Sequence, residues 1–383
     1  MKNKKRIVIA LSGGVDSSVA AFLLKQKGYD VIALYMRNWH DNSITVNNEC
    51  PWIEDSHDAL QIAQQLDIPF QIVDLSFQYK ERIIDYMINQ YKNGETPNPD
   101  VLCNKEIKFD VFLNYALNLK ADYIATGHYC QKDYDGENYR LLQGKDPQKD
   151  QSYFLCQINQ EQLKKVIFPI GNLEKKQVRE IAKTNHLITA DKKDSQGLCF
   201  IGKIKLPIFL QQQIKKKKGD IIEISQNSTI YYNNPSIGSE YNYTKKDGTK
   251  IGEHDGCHYY TIGQRKGLEI GGRKEPLFII ATNIKENIIF VGMGKDHPGL
   301  YRKDLKIKSN EVHWLINNHA IPINTQKNYL VRIRHRQKLQ KAKLIREKDY
   351  LYILFREKQR GISKGQFATW YLNNELIGSG PIS

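Results

Sequence analysis

From Ile7 to Ala125 the chain alternates short apolar runs with stretches of helical periodicity. Ile7–Leu11 is a continuous apolar run of strand length, and Val15–Lys27 has helical spacing that stops at Gly28. Val31–Tyr35 predicts a second buried strand. Ser56–Leu66 predicts a helix through Ala59, Ile62, Ala63 and Leu66, and Phe70–Leu75 a third strand. Tyr79–Tyr91 predicts another helix, with Ile83, Ile84, Met87 and Ile88 on one face. Asp122–Ala125 predicts a fourth strand, ending at Thr126-Gly127-His128. Apolar strands alternating with helices at these lengths predict a doubly wound parallel α/β sheet. Ligands of such sheets sit beyond the carboxyl ends of the strands. Ser12–Ser18, Met36–Asp41 and Thr126–His128 all fall at such ends, so one pocket can collect all three.

Beyond Gly202 the pattern changes to short β segments with Gly and Asn turns. The expected organisation is a catalytic unit at 1–204, a small middle domain at 205–272, and a C-terminal all-β barrel at 273–383. The run Lys215–Lys218 reads as a solvated turn or as an RNA contact.

The 383 residues carry 57 Lys and Arg against 42 acids, a net charge of +15 that suits a polyanionic partner, most simply nucleic acid. An Asn/Lys-rich composition from an AT-rich genome gives the same excess. No stretch is apolar enough to span a bilayer. The basic start leads into a first strand rather than a signal peptide, so a cytoplasmic, bacterial protein is expected. The six cysteines (Cys50, Cys103, Cys130, Cys156, Cys199 and Cys257) form no CxxC pair, the histidines are read as holding no HxxxH or HExxH pattern, and no metal-ligand cluster is expected.

Three stretches carry chemistry. Ser12-Gly13-Gly14-Val15-Asp16-Ser17-Ser18 joins a strand to a helix N-terminus, where glycine turns and free N–H groups cradle phosphate oxygens. No Gly-Lys-Ser/Thr follows, so it is not the common P-loop. Thr96-Pro97-Asn98-Pro99-Asp100-Val101-Leu102-Cys103-Asn104 is a rigid, proline-bounded loop ending in a cysteine at a helix start. Lys105 and Lys108 nearby favour a thiolate there, although an inert packed cysteine fits equally well. Asp194–Gly202 places Cys199 after another polar, Gly-containing loop. Two thiols beside a nucleotide loop suggest sulfur transfer, one bearing a persulfide and the other attacking or resolving it.

The first loop resembles the SGGxDS loop of the ATP-pyrophosphatases. The whole set resembles the tRNA-specific 2-thiouridylases, with Ala125–Tyr129, Lys149–Leu155, Gly252–Gly256 and Tyr260–Leu268 in order along nearly the whole chain. The resemblance implies an enzyme that uses ATP and Mg²⁺ to adenylate the C2 oxygen of the wobble uridine in tRNAs for lysine, glutamate and glutamine. Sulfur would arrive as a persulfide from a sulfur-relay carrier protein or a cysteine desulfurase. Cys199 would bear the persulfide and Cys103 would be the nucleophile or resolving partner, with a transient disulfide between them. Ala10, Leu11, Ser12, Gly13, Gly14, Val15, Asp16, Ser17, Met36 and Gly127 would contact ATP, with Asp16 helping to place Mg²⁺. Asn98, Pro99 and Asp100 would line the target base of the anticodon arm, and Lys149, Asp150 and Gln151 would touch tRNA.

Tyr329–Arg336 has period two, which would set Arg332, Arg334 and Arg336 on one strand face as a phosphate stripe or a solvated barrel face. In the family this segment contacts tRNA, here through Arg334 and His335, the latter replacing a tyrosine. Other departures are His40 before Asp41 and an unalignable segment at 42–52 that includes Cys50, to which no role is assigned. The spacing neither establishes nor excludes an iron–sulfur cluster. The alternatives are a lysidine-type ligase, another pyrophosphatase that needs neither cysteine, and a non-catalytic RNA-binding protein.

Overall fold

The computed structural model describes residues 4–39, 51–194, 206–233 and 235–383. Strand β1 (Arg6–Ala10) leads into helix α1 (Val15–Gln26), and β2 (Asp30–Arg37) precedes α2 (Pro51–Gln65). Strand β3 (Phe70–Asp74) runs into α3 (Ser76–Tyr79), a π-helical stretch at 80–84 and α4 (Asp85–Lys92). A second composite helix joins α5 (Pro99–Leu102), π-helix at 103–111 and α6 (Phe112–Asn118), and β4 (Tyr123–Ala125) follows.

The hairpin of β5 (Cys130–Tyr134) and β6 (Tyr139–Gln143) then leaves this unit, before α7 (Gln160–Lys164), β7 (Val166–Ile167) and α8 (Lys175–Thr184) complete it. The sheet is parallel, in the order β3-β2-β1-β4-β7. Strand β1 explains why the sheet is buried on both faces. Val8 and Ala10 pack into one apolar cluster, while Ile7 and Ile9 pack with Leu11 into another. The chain reverses direction across the sheet between β1 and β4, so the crevice beyond their carboxyl ends is the natural ligand position.

Helix α9 (Leu206–Gln213) leads to a second sheet of β8 (Gly219–Ile224), β9 (Gly248–His254), β10 (Leu277–Asn283) and β11 (Ile288–Met293), in the order β10-β11-β8-β9. The expected boundary at 272/273 cuts this sheet, because β11 pairs in parallel with β8 and antiparallel with β10. The third sheet contains β12 (Tyr301–Lys308), β13 (His313–Trp314), β14 (Thr325–Arg332), β15 (Gln340–Arg346), β16 (Tyr350–Arg360), β17 (Phe367–Leu372) and β18 (Glu375–Pro381). It is antiparallel around a core that includes Leu305, Val331, Leu344, Ile353 and Trp370.

The β5–β6 hairpin extends this third sheet along β18. Arg140 Nη2 lies 2.7 Å from Glu375 Oε2, and Gln143 N donates to Asn374 O at 2.8 Å. The catalytic unit and the C-terminal sheet are therefore interleaved rather than strung in sequence.

Candidate active site

The loop after β1 is built from its own side chains. Ser17 Oγ donates to Gly14 O at 3.0 Å and accepts from Ser12 N at 3.2 Å, and Ser18 Oγ donates to Gly14 O at 2.9 Å. Gly13 has φ +72°, and a Cβ there would lie 2.1 Å from Asp55 O, so only glycine fits. No side chain caps the N-terminus of α1, at Gly14. A Cβ on Gly127 would lie 2.8 Å from Ser17 N, so the end of β4 abuts the loop backbone directly. Ala10, Leu11, Val15 and Met36 are buried in the core, which leaves mainly their backbone atoms for a ligand.

Asp16 is the charged centre of the loop. Tyr129 Oη donates to Asp16 Oδ1 at 2.6 Å, and Lys175 Nζ reaches the two carboxylate oxygens at 2.8 and 2.9 Å. Lys175 also pairs with Asp194 at 2.8 Å, and Asp194 pairs with Lys149 at 2.8 Å and Arg179 at 2.9 Å. Burial raises the Asp194 pKa, but the hydrogen bonds and charges of Lys149 and Lys175 outweigh it and hold the carboxyl well below its ordinary range. Burial, then the Asp16 charge and hydrogen bond, raise the pKa of Tyr129.

Asn98 caps α5 by accepting from Val101 N at 3.3 Å, with Pro99 at the first helical position. The C-terminal sheet holds this loop from behind. Gln366 Nε2 donates to Thr96 O at 2.9 Å and Pro97 O at 3.2 Å, while Thr96 N donates to Lys364 O at 2.8 Å. Asn104 Nδ2 donates to Asp100 O at 3.0 Å and Phe154 O at 3.1 Å. Cys103 begins the π-helical stretch and is fully buried, in the same apolar cluster as Ala10 and Met36. Lys108 lies one π-turn further on and is also buried. Cys199, like His40, Asp41 and Cys50, lies outside the described residues. No disulfide joins the described cysteines to one another.

The 149–151 stretch differs from expectation in one residue. Lys149 and Gln151 are partly exposed or near the surface of the site, but Asp150 is buried. Its carboxylate is 2.6 Å from Arg332 Nη2 and accepts from Gln143 Nε2 at 3.0 Å and Gly144 N at 3.1 Å, so it is turned into the protein. The expected stripe of three arginines does not form. Strand β14 ends at Arg332, which turns inward, and the chain then bends through Arg334 and reaches Arg336 at φ +62°. Arg334 is exposed, and its guanidinium donates to Arg360 O. His335 packs on Phe154, ring centroids 4.4 Å apart, with Nε2 3.1 Å from Asp150 O. Burial, opposed in part by the hydrogen bond with Asp150 O and reinforced by the Arg336 and Arg332 charges, lowers the His335 pKa.

Family models match the chain in three pieces: a tRNA methyl transferase HUP domain at 5–203, a tRNA methyl transferase PRC-barrel domain at 239–293 and an aminomethyltransferase beta-barrel domain at 304–382. A tRNA-specific 2-thiouridylase of Christiangramia forsetii is 55% identical over 99% of this chain and 100% of its own. The same is true of one from Flavobacterium johnsoniae. One from Staphylococcus aureus is 42% identical over 100% of this chain and 96% of its own. The chain belongs to the tRNA-specific 2-thiouridylases.

Within this thiouridylase the residues expected at the site fall into two groups. The phosphate loop, Gly127 and Tyr129 meet at the β1/β4 crevice, and Cys103 shares a core cluster with the ends of β1 and β2. Asn104 links Asp100 to Phe154, His335 packs on Phe154 and contacts Asp150 O, and Arg332 holds the Asp150 carboxylate, so Asn98–Asp100, Lys149–Gln151 and Arg334–His335 are neighbours. Lys175 and the Asp150–Arg332 pair were not visible in the sequence, since their partners stand 159 and 182 positions away. His254 and His258 do stand at HxxxH spacing, which corrects the expectation that the histidines hold no such pattern. Among the described residues no three metal-ligating side chains converge, there or elsewhere. Burial and the Lys108 charge push the His128 pKa well below its ordinary value, and Thr126 Oγ1 lies 2.7 Å from its Nδ1, which suits a structural histidine.

Proposed function

We propose that this enzyme forms 2-thiouridine in tRNA in two half-reactions over one sheet edge. The observation that carries the reading is the packing of Cys103 in one cluster with Ala10 and Met36, near the ends of the strands that flank the phosphate loop. In the first half-reaction the loop Ser12–Ser17 binds the phosphates of ATP. The C2 oxygen of the uridine attacks the α-phosphorus, the bond to pyrophosphate breaks, and C2 carries AMP as a leaving group.

Mg²⁺ fits this loop. Asp16 offers one partly exposed carboxylate and no further ligating cluster is present among the described residues, which suits an ion held mostly by phosphate oxygens and water. When bound, it neutralises charge on the pyrophosphate. Lys175 holds Asp16 in place and supplies a second cation at the same point.

In the second half-reaction the terminal sulfur of a persulfide on Cys199 attacks C2, and AMP leaves with the C2 oxygen. The Cys103 thiolate then attacks the Cys199 sulfur. The bond between Cys199 and the transferred sulfur breaks, sulfur stays on C2, and a Cys103–Cys199 disulfide results. A dithiol reductant restores both thiols, and a sulfur-relay protein or cysteine desulfurase reloads the persulfide.

Asn98, Pro99 and Asp100 receive the target base, which an anticodon loop presents already partly unstacked. Lys149, Gln151, Arg334 and His335 face the anticodon arm, and Asp150 positions them from within. The reaction belongs to the cytoplasm, where tRNA and the sulfur donor meet. No helix among the described residues is long and apolar enough to cross a membrane. The test is pyrophosphate release from ATP with unmodified tRNA. Asp16→Asn abolishes it, whereas Cys103→Ser and Cys199→Ser retain it. Normal pyrophosphate release by Asp16→Asn overturns the loop's role.

A further inference from the structure

We propose that the turn at 263–267 of the middle sheet is an additional contact for the tRNA sugar–phosphate backbone, made by Arg265 and Lys266. The proposal rests on the reading of tRNA as substrate and deepens it. The turn is firmly built. Gly263 N donates to Ile279 O at 2.8 Å and Ile279 N donates to Gln264 O at 3.0 Å, so both sides of Gln264 are fixed to β10. Gln264 Oε1 accepts from Thr261 N at 3.1 Å and its Nε2 donates to Lys266 O at 2.8 Å, which closes the turn on itself. Gly263 at φ +84° and Gly267 at φ +85° make the two reversals that push Arg265 and Lys266 outward.

Its position gives the turn a partner. Thr261 Oγ1 is 3.2 Å from Thr96 Oγ1, at the head of the loop that receives the target base. A Cβ on Gly361 would lie 3.6 Å from Ile262 O and 3.8 Å from Arg334 Nη2, so the turn also borders the arginine expected to meet tRNA. Three segments distant in sequence thus form one continuous rim. Arg265, Lys266, Arg334 and Arg336 are all exposed along it.

Arg265 and Lys266 make no ion pair with a described residue, whereas Arg273, further along the same loop, pairs with Glu223 at 3.1 Å. Exposed cations on a rigid backbone, beside the base-receiving loop, match the spaced anionic charge of a nucleic-acid backbone. Such contacts position the RNA without reading its sequence.

The test is the salt dependence of binding between the full-length protein and a fluorescent, unmodified substrate tRNA, followed by anisotropy from about 50 to about 200 mM salt. For Arg265→Gln/Lys266→Gln the account expects the log–log salt slope to fall by about 1 to 2, with affinity weakened about tenfold at the upper salt. Arg265→Lys/Lys266→Arg keeps charge and should keep the slope, which separates a charge contact from damage to the turn. Wild-type binding with an unchanged slope in the glutamine variant overturns this proposal alone. Failure of the wild type to bind tRNA overturns the substrate reading beneath it. Loss of slope in both variants assigns the turn a purely structural role.

Discussion

Replacing Arg332 by methionine should destabilise the C-terminal sheet far more than loss of a surface arginine would. Its side chain is 4% exposed and that of Asp150 1%. Arg332 Nη2 contacts Asp150 Oδ2 at 2.6 Å, Ser152 Oγ at 2.8 Å and Tyr371 Oη at 2.6 Å. Removing one partner of such a pair leaves an uncompensated buried charge and costs about 3–5 kcal/mol, against about 0–1 kcal/mol for an exposed pair.

The pH dependence carries a sign. In the native protein burial raises the Asp150 pKa, but Arg332 and the hydrogen bonds from Gln143 and Ser152 prevail and leave it lowered. Asp150 therefore adds stability above its unfolded pKa, lost as pH falls through the lower folded value. In Arg332→Met burial dominates, the folded pKa rises, and the penalty is relieved as pH falls and the carboxyl takes up a proton. The gap between wild type and variant should thus be widest at neutral pH and narrow toward about pH 5.

Urea unfolding followed by tryptophan fluorescence measures this, because two of the four tryptophans, Trp314 and Trp370, pack in that sheet with ring centroids 5.1 Å apart. A loss below about 1 kcal/mol, or one independent of pH, would refute the reasoning.

Gly127→Ala places a methyl 2.8 Å from Ser17 N and 2.9 Å from Asp16 C, so the phosphate loop must shift. AMP formation should drop at least tenfold while the fold persists, and unchanged turnover would remove Gly127 from the loop's support. Lys175→Met leaves Asp16 and Asp194 without the cation that bridges them. It should raise the KM for ATP, and a variant with wild-type KM would show the bridge to be idle.

The first sheet was legible because its strands are buried on both faces and so read as continuous apolar runs, Ile7–Leu11 and Val31–Tyr35 among them. The loop at Ser12–Ser18 was legible because its glycines and serines are local requirements of one turn. The Arg332–Arg336 stripe failed because period two holds only while the strand continues, and β14 ends at Arg332. The burial of Asp150 was not legible for a related reason: its charge is matched by an arginine 182 positions away, which spacing cannot reveal. Strands β10 and β11 look like the start of the last domain in sequence, yet β11 pairs in parallel with β8, a non-local choice. The hairpin β5–β6 likewise extends a sheet formed from residues far downstream.

The central claim is sulfur transfer onto tRNA by Cys103 and Cys199. It is tested most directly by nucleoside mass spectrometry of substrate tRNA incubated with the protein, Mg-ATP and a persulfide donor. The wild type should give 2-thiouridine, dependent on ATP, and Cys103→Ser and Cys199→Ser none, while both variants still release pyrophosphate. Undiminished 2-thiouridine from either variant would contradict it.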